Sequence, residues 1–224
     1  MQPVVRLRSA VCLLDRFPAL AGVDLDVDDA EVVLVSGGNG AGKSTLLRML
    51  AGLVPVHSGD AEVLGCDLAR DRRSHRRALS LVGHESGCYD DLTVRENVRF
   101  ATRTTGAPAS AADEAMERLG LAPLAEILHR RLSAGQRRRV ALAIGIARAP
   151  RLLLLDEPHA GLDAEGRATL DEVVSASSAA GCTVLLASHE LERTRLLANR
   201  EVVLIAGQAH GMVAADEQRE PARA

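Results

Sequence analysis

The sequence predicts an α/β protein: a mostly parallel sheet with helices on both faces, an N-terminal antiparallel β part and an inserted α-helical subdomain. Three observations lead there. A buried-strand run, "EVVLVSG" at 31–37, enters a glycine-rich loop and then a helical pattern over 43–52. Strand-like runs return at 151–156, 182–187 and 201–206, with a helix at about 164–180 between the first two. Between these groups, over about 85–148, the chain turns helical. Strands alternating with helices favour a parallel sheet, and the run of helices between them reads as an insertion.

Each element has its own signal. "VVRLR" (4–8) and "VDLDV" (23–27) alternate apolar and polar residues, as half-exposed antiparallel strands do. The helix after the glycine-rich loop stops at Gly52, with Pro55 beyond it. In the helical third, "TVRENVRF" carries a capping box, Thr93 with Glu96. "SAADEAMERLG" spells a second, Ser110 with Asp113, and Gly120 follows the helix end. A third helix is predicted from near Ser133 to about Ala149. The chain 1–224 thus reads as one domain, with 85–148 inserted and 214–224 a solvated tail.

Composition limits the function classes. Aromatics are only Phe17, Tyr89 and Phe100, so the core must be built from Leu, Val, Ala and Ile. A net charge of −3 argues against general nucleic-acid binding, so no nucleic-acid partner is expected. Apolar stretches such as "VALAIGIA" at 140–147 and that within "RLLLLD" at 151–156 fall far short of the ~20 residues of a membrane span. No signal peptide is expected from the N-terminal stretch, no C-x-x-C pair occurs, and Cys12, Cys66, Cys88 and Cys182 read as small residues in a reducing compartment. A cytoplasmic protein without its own anchor is expected.

The chemistry lies in three short stretches. "GGNGAGKST" (37–45) fits G-x-x-x-x-G-K-[ST] between a strand and a helix, the context the motif requires. Gly37, Gly38, Asn39, Gly40, Ala41 and Gly42 form a loop whose N–H groups turn toward phosphate oxygens, and the following helix adds its positive end. Lys43 is placed to reach the β- and γ-phosphates and Ser44 to ligate Mg²⁺, with Thr45 completing the motif. This is the loop of a P-loop NTPase core. The alternative is a plain glycine-rich turn before a helix.

"RLLLLDEP" (151–158) is a buried strand ending in two acids, near the phosphate loop in this class of sheet. Asp156 is the candidate Mg²⁺ holder, through water, and Glu157 the candidate for polarising the attacking water. Alone, the pair would read as two exposed acids; the phosphate loop gives it the catalytic reading. "LLASHEL" (185–191) brings His189 to another strand end, where it can donate to a γ-phosphate or be merely structural.

Taken together, these residues resemble the nucleotide-binding subunit of ATP-binding cassette (ABC) transporters over nearly the whole chain. "LSAGQ" (132–136) is similar to that family's signature motif, with Ala134 replacing a Gly. "HAGLD" (159–163) resembles the loop after the acidic pair, with Asp163 matched and His159 replacing a commoner Ser or Thr. The resemblance implies two cassettes packed head to tail on two Mg·ATP. Ser133, Gly135 and Gln136 of one copy would then face the partner's nucleotide. At least two of the arginines 137–139 are expected to be a solvated face.

It further implies an aromatic under the adenine, for which Phe17 is the candidate, unless it is a core residue. It also implies a Gln contacting Mg²⁺, where this chain has His84. Gly-His at that point, with LSAGQ, resembles the haem-exporter branch, although no C-x-x-C-H haem site is present. The function expected is a cytoplasmic ATPase, peripheral on the membrane, that drives a separate permease docked near residues 85–91, with export as the direction. An ABC-type ATPase not coupled to transport is the alternative. A regulator that binds without hydrolysing is disfavoured by Glu157 and His189.

Overall fold

The computed structural model describes residues 3–83 and 87–214, the last three by backbone alone. Two long strands, β1 (Val5–Leu14) and β2 (Phe17–Val27), form an antiparallel hairpin. The buried strand β3 (Val32–Ser36) leads through the glycine-rich loop to helix α1 (Lys43–Leu50). Strands β4 (Ser58–Val63) and β5 (Cys66–Asp67) extend the hairpin into a sheet of order β2-β1-β4-β5. After β6 (Leu79–Val82) come three helices: α2 (Val94–Thr105), α3 (Ala109–Arg118) and α4 (Ala134–Ala147). The chain ends β7 (Leu152–Asp156), α5 (Ala164–Ala179), β8 (Thr183–Ala187), α6 (Leu191–Arg195), β9 (Arg200–Ile205) and β10 (Gln208–Ala214).

The second sheet runs β10-β9-β3-β8-β7-β6, parallel except for β10 at its edge. Its central strands read "VVLVS", "LLLLD" and "TVLLA" and are buried almost throughout, as a parallel sheet covered on both faces requires. Alternate residues serve two cores. Val33, Val35, Leu152, Leu154 and Leu185 face α1 and the antiparallel sheet. Val32, Leu34, Leu153, Leu155, Val184 and Leu186 face α4, α5 and the helical segment. Full burial of each such Leu or Val contributes about 1.5–3 kcal/mol, so aliphatic side chains suffice without aromatics.

The N-terminal antiparallel part lies where the sequence places it, although its strands are longer than the alternating runs suggested. β10 falls in "QAHGMVA", which carries too little apolar alternation to predict. Ala206 and Gly207, both in the left-handed region (φ 48° and 78°), turn the chain back so that β10 pairs with β9.

Two capping boxes form, and one does not. Thr93 and Glu96 exchange bonds at the start of α2, and Ser133 and Gln136 do so at the start of α4. The box expected at Ser110 and Asp113 is absent. Pro108, with its ring-fixed φ of −63°, is the residue before α3, so Ser110 falls inside the first turn. Asp113 instead pairs with Arg95 at 3.0 Å and Arg99 at 3.1 Å on α2, tying the two helices together. Helix α4 ends at Ala147, two residues short of expectation, because Ala149 takes φ 47° ahead of Pro150.

Candidate active site

β3, β7 and β8 are parallel and adjacent, so their carboxyl ends share one edge of the sheet. The glycine-rich loop, the acid pair and His189 leave from that edge. In open α/β sheets this is where ligands bind.

The loop is held by its neighbours. Gly37 has φ 137°, and a Cβ there would lie 2.2 Å from the Leu204 carbonyl oxygen on β9, so only glycine lets β3 turn into the loop at this spot. Gly42, at φ 105°, is the cap of α1 and brings no side chain to its first amides. These N–H groups stay available for an anion at the positive helix end. Lys43 is buried and its Nζ donates to the carbonyls of Gly37 at 2.8 Å and Gly38 at 3.1 Å. Its ammonium thus lies over the loop's own backbone.

Asp156 ends β7, and Glu157 follows with φ 48°, the left-handed region. For a residue with a Cβ that conformation costs about 1–2 kcal/mol. The turn is held by the Glu157 N–H, which donates to Ala187 O at 2.8 Å, and by Arg138 of α4. Arg138 Nη2 donates to the carbonyls of Asp156 and Glu157, both at 2.8 Å, while Nε reaches Pro158 O at 3.4 Å and Nη1 bonds Gly83 O. Burial pulls this guanidinium's pKa below its ordinary value, and the charges of Asp156 and Glu157 act in the opposite direction. It stays cationic.

His189 is half exposed and donates its backbone N–H to Glu157 Oε2 at 3.2 Å. Its Nε2 lies 3.4 Å from Lys43 Nζ and 3.3 Å from Glu157 Oε1. An ammonium only donates, so the first contact requires a lone pair on Nε2, whereas pairing with Glu157 requires a proton there. The two are therefore alternatives. Glu157 Oε1 is buried and, apart from that 3.3 Å approach of His189, has no hydrogen-bond partner among the described residues.

Ser44, Asp156 and Glu157 line one cleft of about 820 Å³, together with Arg48, Arg138 and Ala134. A hydroxyl and a carboxylate are the oxygen donors that Mg²⁺ takes, usually with phosphates and waters completing the shell. Beside it, a cavity of about 280 Å³ is lined by Leu14, Ala19, residues 39–45, Glu157 and His189. Phe17 is absent from that lining. It is 79% exposed at the start of β2, so it is not a core residue. The larger apolar side chain lining that cavity, beside Ala19, is Leu14. No sequence signal marked it, because the aromatic drew the expectation.

The signature stretch lies apart from this cavity. Gln136 Oε1 accepts the Ser133 N–H at 2.9 Å, and Ser133 Oγ accepts the Gln136 N–H at 3.3 Å. Both residues are at the surface end of α4, while Gly135 approaches the Gly161 carbonyl so closely that a Cβ would lie 3.1 Å from it. Asp163 caps α5, accepting from Gly166 N at 2.8 Å, and lines neither cavity. His159 is buried, with Nε2 2.9 Å from Asp171. His84, the candidate in the Gln position, lies outside the described residues.

The expectation that at least two of the arginines 137–139 are solvated is overturned. Arg138 turns inward, and Arg137 donates from Nε to Leu132 O at 3.2 Å and from Nη2 to Arg130 O at 2.8 Å. The first turns of α4 lie against loop carbonyls, to which these guanidinium groups donate.

Fold and site together define a P-loop nucleoside triphosphatase with helices inserted between two strands of its parallel sheet. A family model described as "ABC transporter" matches residues 20–160. The chain belongs to the ABC transporter family and is an ATPase of that family. It is 41% identical over 169 residues to the cytochrome c biogenesis ATP-binding export protein CcmA of Bordetella bronchiseptica, covering 75% of each chain. To CcmA 1 of Salmonella paratyphi A it is 40% identical over 188 residues, 84% of this chain and 90% of the relative. Among solved structures, an ATP-binding subunit of an ABC transporter superimposes with a TM-score of 0.88 at 24% identity, covering 96% and 91% of the two chains. A dimeric post-hydrolysis cassette bound to ADP and Pi gives 0.86 at 23%, covering 94% and 98%. At those identities the likeness concerns the fold.

Proposed function

We propose that this chain powers a membrane exporter of the cytochrome c maturation, or haem-exporter, type, as a homodimer acting on a separate transmembrane permease from the cytoplasmic face. The observation that supports it most is the 40–41% identity to relatives named ATP-binding export proteins, over three quarters or more of both chains.

In this reading the amides of residues 37–45 and the start of α1 hold the ATP phosphates, and Lys43 leaves the Gly37 and Gly38 carbonyls for the β- and γ-oxygens. Ser44 and Asp156 would hold Mg²⁺, which when bound would supply positive charge beside the phosphates. Glu157 orients the attacking water, and His189 donates to the γ-phosphate. Ser133 Oγ and the amide of Gly135 meet the partner's γ-phosphate at the positive end of α4. Such an anion-binding helix start needs neither acid nor base of its own.

The permease reading is supported by the segment 87–91 and its neighbour α2. Tyr89 and Phe100 meet edge to face at 5.5 Å, yet both remain about half exposed. An exposed aromatic pair in a chain with three aromatics suits a partner's docking segment.

The test is co-purification from membranes with and without the neighbouring permease. Retention on membranes only when the permease is present supports the transporter reading. Equal behaviour in both supports an ABC ATPase uncoupled from transport.

A further inference from the structure

Among the described residues, Arg138 is the side chain of α4 whose hydrogen bonds gather the ends of two core strands. Its three nitrogens reach Gly83 after β6, and Asp156, Glu157 and Pro158 after β7. All four acceptors are backbone carbonyls, so the contacts fix main-chain direction. A planar guanidinium presents its donors in a rigid fork, which an ammonium or an amide cannot reproduce. Two of these carbonyls flank the left-handed residue Glu157, whose side chain in turn accepts the His189 N–H. Five residues before Arg138, on the same helix, stands Ser133.

We propose that Arg138 is a positioning residue: it holds the Glu157 turn in its left-handed conformation and ties that turn to the orientation of α4. Arg138 gives its hydrogen bonds to main-chain carbonyls. It acts through the peptide groups on either side of Glu157, and it holds Gly83 after β6 to the same fork. When α4 shifts, the Glu157 carboxylate shifts with it. Resting as it does on the reading of Glu157 as the residue that orients water, the proposal makes alignment of one copy's carboxylate depend on the helix whose start faces the partner's ATP.

A double-mutant cycle tests it. Arg138→Gln removes the fork and Arg138→Lys keeps only the charge. Both are measured for ATP affinity, ATP-driven dimerisation and steady-state turnover, alone and combined with Glu157→Gln. In the wild-type background, kcat is expected to fall tenfold or more for Arg138→Gln and less for Arg138→Lys, with ATP affinity within twofold and dimers still forming. In the Glu157→Gln background the same substitutions should lower the residual rate less than twofold, because the group they position is already disabled. Equal fold-losses in both backgrounds, or an unchanged kcat in Arg138→Gln, overturns the proposal. Should Arg138→Gln fail to fold, Arg138→Lys carries the same comparison. Near wild-type turnover of Glu157→Gln alone would instead remove the catalytic reading of Glu157, and the positioning role with it.

Discussion

Glu157 Oε2 accepts the backbone N–H of His189 at 3.2 Å, so a direct hydrogen bond joins the acid after β7 to the histidine after β8. A substitution at Glu157 that preserves this acceptor separates its chemistry from its structural bond. Glu157→Gln keeps a carbonyl oxygen for the His189 amide but cannot take a proton. Turnover is expected to fall by ~10²–10⁴, the range of a positioned base, with ATP binding intact and an ATP-bound dimer accumulating. Phosphate release and size exclusion with ATP check both parts. A variant that turns over like the wild type places the base elsewhere.

The second prediction concerns the surface position of Ser133. Ser133→Arg puts bulk and a cation where the partner's phosphate must dock, but leaves the phosphate loop of its own chain untouched. Monomeric ATP binding should survive while dimerisation and hydrolysis fail. Mixing with Lys43→Ala chains gives heterodimers in which one composite site carries both lesions and the other carries neither. At random pairing, half the dimers are mixed with one good site each, so roughly a quarter of wild-type activity should return. If heterodimers demonstrably form and no activity returns, Ser133 does not act across the interface.

Two neighbouring glycines should behave oppositely. A Cβ on Gly37 would lie 2.2 Å from Leu204 O, backbone that has no room to give, whereas one on Gly38 meets nothing within 4 Å. Gly37→Ala is expected to lose about 1–3 kcal/mol of stability, the usual cost of overpacking, and to lose ATP binding as the loop is displaced. Gly38→Ala should match the wild type in urea midpoint. Equal behaviour of the two variants would show that the contact with β9 does not hold the loop.

These contrasts show what the sequence makes legible. β3, β7 and β8 are readable because strands covered on both faces must be apolar at every position, and their adjacency puts the motifs on one edge. The start of α4 is readable because Ser133 and Gln136 stand at the spacing of a capping box. Ser110 and Asp113 stand at a similar spacing, and there Pro108 decides the helix start instead. Arg138 is hidden for a different reason. Three consecutive arginines look alike, and only the rotation of α4 against the end of β7 selects the one that turns inward. Leu14 is hidden because its place beside the loop comes from the β1–β2 hairpin, which carries Phe17 out to solvent.

The last prediction follows from a buried histidine outside the site. His75 Nε2 lies 2.9 Å from the Leu50 carbonyl, an acceptor only, so Nε2 carries the ring proton. Its Nδ1 is buried and has no hydrogen-bond partner among the described residues, none of which would accept a hydrogen bond from a second proton there. Burial is the main cause that lowers the His75 pKa below its ordinary value; the Leu50 bond and Asp71 oppose it and Arg76 adds to it. A group with a depressed pKa in the folded state takes up its proton more readily in the unfolded chain. Its contribution to stability is therefore complete above the unfolded histidine value of about 6.5, and it is lost as pH falls from there toward the lower folded value. His75→Gln retains an N–H for Leu50 and does not titrate. Urea midpoints at pH 7.5 and 5.5 should fall less for His75→Gln than for the wild type, the difference isolating His75 from other titrating groups. An equal fall in the two proteins would mean that His75 binds its proton as readily folded as unfolded.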